Sequence, residues 1–353
     1  MHRPLVYALA IAAMGRVPAR ADGALEEVSA GNTPHVQGSP SSTWIADRLA
    51  GIWEPGDAWQ VRLDVTGTRY LHASASDMLL ASLSVEYDPS THWILRLAAA
   101  GSPPSTATST TSLQVQDLLG APITADAKLE TSSSSVSGSA WLGYETAGDS
   151  ALETSAIVSA SATQLDSRQD LISVQGRSGQ MVTLAQLRTF CASHPCMNGI
   201  GSALDGQSAN VVQLVLGAGI SEQIYQDTDV GLDGSYYLYD KDPTQVGTFS
   251  VTRAGQTAGA GGGIGIAPVL YSVMPSLAHR FGPLMAMAGV SYSKYVDALG
   301  YDATATLRIQ YKLAFGGDRR LKLWAKFTGS RDVDQRNTTS NAGSAALGAQ
   351  YAW

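Results

Sequence analysis

From residue 59 onward, apolar residues recur at every second position. Trp59, Val61, Leu63 and Val65 alternate with Gln60, Arg62, Asp64 and Thr66, the period of a strand with one apolar and one polar face. Leu79, Ala81, Leu83, Val85 and Tyr87 follow the same rule, Asp88-Pro89-Ser90-Thr91 supplies a turn, and Trp93, Leu95, Leu97 and Ala99 return. Further alternating stretches fall at 136–144, 152–163, 212–221, 230–239, 270–278 and 284–292. The clearest pair sets Leu307, Ile309, Tyr311, Leu313 and Phe315 against Arg308, Gln310 and Lys312. After Gly316-Gly317-Asp318-Arg319, it sets Leu321, Leu323, Ala325 and Phe327 against Lys322, Trp324 and Lys326. Lysines alternating with leucines exclude a dry sandwich core and suit a wet lumen.

Other stretches lack this period. Gly101 to Glu130 reads as a long Ser/Thr/Pro-rich loop, and Leu165 to Gln207 as irregular chain with a helix over Met181 to Ala192. Phe249–Arg253 and the glycine-rich Thr257–Ile266 form one bent strand or two. Trp44 to Trp53 suits a short helix or a strand.

The last strand runs to the final residue. Trp353, Tyr351, Ala349, Leu347 and Ala345 share an apolar face, while Ala352, Gln350, Gly348, Ala346 and Ser344 share a small, polar one. This ending resembles the C-terminal assembly signal of Gram-negative outer-membrane β-barrels. The resemblance is to an architectural class, spread over about residues 59 to 353. It implies a closed, antiparallel, transmembrane all-β barrel in the bacterial outer membrane. It also implies lipid and lipopolysaccharide around the wall, and insertion by the barrel assembly machinery through the C-terminal strand.

Composition agrees with such a wall. Of 353 residues only 15% are charged, 44% are hydrophobic and 36 are Gly, whereas globular domains carry about 25% charge. No apolar run of helix-spanning length occurs beyond the N-terminus, so a membrane protein of this sequence has to be a barrel. The first residues read as a signal peptide over 1–21: His2 and Arg3, an apolar core from Leu5 to Met14, then Ala19-Arg20-Ala21 before Asp22. Residues 22–58 read as a periplasmic leader and 59–353 as the barrel. The net charge of −7, more acidic still without Arg3, Arg16 and Arg20, argues against a nucleic-acid partner.

Short turns at 88–91, 147–150, 225–228, 280–283 and 316–319 fall at one end only if the glycine-rich region counts as two strands. The total is then fourteen, with twelve or sixteen as alternatives. The polar face puts Arg62, Asp64, Glu86, Arg96, Glu145, Glu153, Asp233, Arg308, Lys312, Lys322 and Lys326 in the lumen. Opposite signs across a narrow pore create a field that sorts solutes by charge; mutual ion pairs bracing a closed barrel are the rival reading. Trp59, Tyr87, Trp93, Tyr144, Tyr311 and Trp353 lie near strand ends on the apolar face, where an aromatic girdle belongs. Cys191 and Cys196 read as a loop-closing disulfide, since Cys191, His194 and Cys196 lack a fourth metal ligand.

No metal or cofactor is expected, and no spacing links His72, His92, His194 or His279 to a nucleophile and an orienter. The expected role is therefore a channel for small hydrophilic solutes, not an enzyme. Alternatives are an export channel for a polymer such as exopolysaccharide, working with a periplasmic partner; a fatty-acid-type transporter plugged by Trp44 to Trp53 with an apolar lateral opening; and a closed structural or adhesin barrel.

Overall fold

The computed structural model describes residues 23–33, 42–56, 58–71, 77–116, 122–146, 154–176, 181–193, 206–225, 227–241, 249–253, 256–260, 269–296, 299–315, 319–334 and 337–352. The chain forms β1 (Gly23–Thr33), β2 (Ser42–Gly56), β3 (Trp59–Tyr70), β4 (Met78–Tyr87), β5 (Trp93–Gln116) and β6 (Pro122–Glu145). Next come β7 (Thr154–Gly176), the short β8 (Met181–Val182), helix α1 (Leu184–Ser193), β9 (Gln207–Tyr225) and β10 (Thr228–Tyr239). Then follow β11 (Phe249–Arg253), β12 (Gln256–Ala260), β13 (Val269–Phe281), β14 (Leu284–Tyr295), β15 (Gly300–Phe315), β16 (Arg319–Asp334) and β17 (Thr339–Ala352).

Every wall strand pairs antiparallel with its neighbours, and β1 pairs with β17, so the sheet closes as a barrel of 14 strands. Closure leaves no edge, which is what hydrocarbon demands of a sheet. Burial alternates with the pleat. On β15 Leu307 is 42% exposed while Gln310 is 8% exposed, so the apolar face looks out and the polar face is enclosed. Exposed Leu216, Leu232, Leu277, Val290, Phe327 and Leu347 continue that outer apolar face around the ring.

The strand number agrees with the sequence reading, but its composition does not. The presumed leader supplies two wall strands: β1 pairs with β17 from Leu25↔Ala352 to Gly31↔Ala346, and β2 pairs with β1 and β3. Trp44 to Trp53 is therefore the strand of the two alternatives, placed in the wall, and neither helix nor plug. Its period was obscured because Asp47 sits on the outer parity and Trp44, Ala50 and Ile52 on the inner one. Conversely, β11 and β12 pair only with each other while β10 pairs directly with β13. At five residues each, they are shorter than the ~9–11 residues that cross a bilayer. Two strands missed and two wrongly counted gave the same total.

Two expected loops are also strand. Gly101–Glu130 is mostly the far part of β5 and β6, paired as far as Gln116↔Pro122, and β7 continues through Gly176. Beyond the bilayer the outer face has no need of apolar side chains, so Ser and Thr occupy both faces and the alternation disappears. On this extension Leu129, Ala127, Leu171, Val174 and Val211 are buried. Helix α1 lies near the sequence-predicted helix and touches β7. It begins with a reciprocal cap: Gln186 N donates to Thr183 Oγ1 at 3.2 Å and Thr183 N donates to Gln186 Oε1 at 3.0 Å. Cys191 lies in this helix, but its side chain and Cys196 fall outside the described residues, as do the expected signal peptide, Glu153, Trp353 and the turn at 147–150.

Candidate functional site: the enclosed charged face

Cross-strand register, not sequence distance, assembles the enclosed face. On β1, β2 and β3 the pairs Glu27↔Arg48 and Ala50↔Asp64 bring two acids and two arginines together. Arg62 Nε donates to Asp64 Oδ2 at 2.6 Å, and Arg48 Nε donates to Asp64 Oδ1 at 2.8 Å. Arg48 also reaches Glu27 at 3.8 Å. Glu27 accepts a hydrogen bond from the Trp324 indole at 3.1 Å across β17, and Arg308 lies 5.0 Å over the Trp324 ring. Gly348 makes room for this arrangement, since a methyl group there would collide with the indole.

Beside this ion-paired wall stands a wall of cations. Lys312 faces Lys322, and Arg308 faces Lys326, as directly opposed residues of β15 and β16. Further round, Arg96 pairs with Glu86. In the adjoining turn Asp88 is held above the usual carboxylate range, first by burial and then by Glu86, with Arg96 partly offsetting the rise.

The far side of the ring is lined by small residues. Ser155 and Ser221 lie 2.7 Å apart across β7 and β9. Ser159 projects over Gly217, and Asp233 over Gly219, where an added Cβ would force those side chains to turn aside. Clustered arginines and lysines on one wall thus face a wall rich in hydroxyls and glycines, with Asp233 among them. Glu145 lies on the enclosed parity opposite Ser155, apart from the charged cluster. Sequence reasoning identified the polar face of β3, β4, β5, β15 and β16. It missed Glu27 and Arg48, which lie on strands whose period was obscured, and it missed Trp324 as a link. An indole at a polar-parity position, next to a glycine on the neighbouring strand, was the available signal.

On the outer face Trp59 stacks on Tyr87 with centroids 4.3 Å apart, and Trp93 meets Tyr144 edge-on at 5.0 Å. Tyr311 is at the same end, opposite Leu284. A second row lies near the other end: Tyr271, Tyr292 and Tyr301, with Tyr292 and Tyr301 at 5.5 Å. The ten steps along the strand from Tyr301 to Tyr311 span ~33 Å, or about 25 Å of membrane at the usual barrel tilt. That matches the apolar band of a transmembrane barrel.

The β13–β14 seam is irregular. Val273 faces Tyr292 and Ser276 faces Gly289, but Met274 and Pro275 between them form no bridge to β14; proline has no N–H to donate. Over this seam lies a concavity of ≈ 870 Å³, lined on its outer side by Pro275, Leu277, Val290, Leu307 and Phe327. Among the described residues no cluster of His, Cys, Asp or Glu is arranged to hold a metal.

No protein-family model and no curated protein matches the sequence. Solved structures do match in shape. The CymD monoaromatic hydrocarbon channel is 12% identical, with 94% of this chain and 87% of that one covered and a TM-score of 0.55. The Pseudomonas putida toluene transporter TodX is 12% identical, with 97% and 93% covered and a TM-score of 0.51. A Pseudomonas aeruginosa FadL homologue is 10% identical, with 94% and 88% covered and a TM-score of 0.51. At such low identity these likenesses establish the barrel fold that the chain shares with transport channels.

Proposed function

We propose that this protein is an outer-membrane channel and that its polar lumen passes small hydrophilic solutes. The observation that carries this reading is the enclosure of charge: at least eight ionic side chains, Glu27, Arg48, Arg62, Asp64, Arg308, Lys312, Lys322 and Lys326, share the enclosed face of a wall whose other face is apolar. A dry interior would make so many charges prohibitive, so water fills the barrel. Insertion of the refolded protein into planar bilayers tests the reading: discrete, steady conductance steps are expected. Repeated insertion without current would contradict an open channel and favour a closed structural barrel.

A second reading has its own support. The gap in the ladder at Pro275, roofed by an apolar concavity open to the outer face, suits an apolar solute leaving sideways into lipid. The shared barrel shape with hydrocarbon channels makes this reading worth separating from the first. In it the solute's path crosses the wall between β13 and β14, and Trp44 to Trp53, being wall, plays no part as a plug. Cells producing the protein should then accumulate a labelled apolar solute; accumulation no faster than in cells without the protein removes this reading and leaves the hydrophilic one.

A further inference from the structure

The geometry points to an oxyanion-binding site inside the barrel, formed by Arg308, Lys312, Lys322 and Lys326 and backed by Trp324. This inference rests on the reading of the enclosed face as a water-filled lumen, and it narrows the solutes that lumen prefers.

Four cations lie on two adjacent strands, and they lie directly opposite one another: Lys312 against Lys322, and Arg308 against Lys326. Like charges in directly opposed cross-strand positions repel. Two such pairs on the same face, four residues apart along each strand, have to be compensated by something. The protein does not supply it. Among the described residues no carboxylate reaches ion-pair distance of any of the four. The nearest acid on the adjoining wall is Glu27, and it is already held by the Trp324 indole at 3.1 Å and by Arg48 at 3.8 Å.

A second, independent observation concerns Arg308. Its guanidinium carbon lies over the Trp324 ring, 5.0 Å from the centroid, and its enclosed Nε has no hydrogen-bond acceptor in the protein. A guanidinium anchored against an aromatic ring through its carbon can still present its two Nη groups as a fork for two oxygens of one anion. The lysines beside it act as mobile point charges that can follow an anion along the strands. Gln350, opposite Lys322 on β17, adds a neutral amide on the same face. The small serines and glycines of the opposing wall, where Asp233 also lies, leave room for the anion to pass. The chemistry recognised is that of a small oxyanion, whether an organic carboxylate or inorganic phosphate.

The test uses the full-length protein in planar bilayers and the double variant Lys322→Gln/Lys326→Gln. Lys294→Gln serves as a control, because Lys294 lies on the outer parity of β14. In a potassium chloride gradient the wild type should show a reversal potential of anion-selective sign. Millimolar succinate should reduce its chloride current, with a half-blocking concentration at least tenfold higher in the double variant and unchanged in the control. Block by inorganic phosphate and not by succinate identifies phosphate as the occupant and keeps the site. Conductance without anion selectivity, unchanged by the double substitution and unblocked by both anions, overturns the site while leaving the channel reading intact. If no current appears, the channel reading fails, and titration calorimetry in detergent decides the site separately. Succinate or phosphate binding that is lost in the double variant supports it, and no binding to the wild type at millimolar concentration overturns it.

Discussion

Asp64 is the residue on which the ion-paired wall depends, since both Arg48 and Arg62 hydrogen bond to it. Asp64→Asn removes the charge and keeps the shape, so Arg62 loses its counter-charge in the lumen and Arg48 keeps only the longer contact with Glu27. The permeability ratio of anions to cations should rise severalfold in that variant; an unchanged ratio would take Asp64 out of the conduction path. Gly348 matters through what it omits. Gly348→Val places a branched side chain where the Trp324 indole lies, and overpacking of this kind typically costs about 1–3 kcal/mol. The urea midpoint of the variant should fall accordingly, with Trp324 displaced from Glu27. The sequence alone makes Arg62, Asp64 and the lysines legible, because each sits in a strong period-two run. It does not reveal which arginine serves which acid. That depends on register between strands remote in sequence, as in the hydrogen bond joining Glu27 to Trp324.

Single elements differ in how much they contribute to the wall. Removing residues 23–56 takes out β1 and β2 and leaves β3 and β17 each with one unpaired edge. Unpaired strand edges in hydrocarbon cost several kcal/mol per backbone group. The truncated chain should therefore fail to give the heat-modifiable electrophoretic band of a folded barrel, whereas a dispensable leader would leave that band intact. Deletion of 249–260 should do the opposite, because β11 and β12 pair only with each other. Pro275→Val restores the missing N–H at the irregular seam. It should stabilise the barrel by roughly 1 kcal/mol, the usual net worth of one hydrogen bond. Ionic conductance should persist while any uptake of apolar solute falls. Faster apolar uptake in the variant would show that the seam is not the route.

The same elements explain what the sequence concealed. β1 and β2 have charged residues on the outer parity at Glu26 and Asp47 and apolar ones on the inner parity at Leu25 and Ile52, so their alternation is weak. The far parts of β5, β6 and β7 lie outside the apolar band, where no solvent difference between the two faces imposes a period. Strands bounded by lipid on one side and water on the other, such as β15 and β16, are legible because two solvents write the pattern.

At the scale of the whole molecule, one geometric idea accounts for the composition, the closure and the two aromatic rows: lipid solvates one face of every strand and water the other. The low charge content follows, since half of each spanning segment has to be apolar and the inner wall opposite the charged cluster is rich in Ser and Gly. The rows at Tyr301 and Tyr311 set the width of the apolar band, and the strands that outrun it form the buried patch around Leu129 and Val211.

The most direct measurement is a single-cysteine spin-label scan from 321 to 327 in lipid vesicles, on a background with Cys191 and Cys196 replaced by serine. Labels at 321, 323, 325 and 327 should be relaxed by dissolved oxygen and shielded from a water-soluble nickel complex, while labels at 322, 324 and 326 should show the reverse. Equal accessibility at all seven positions, or nickel reaching the odd-numbered ones, would contradict the account.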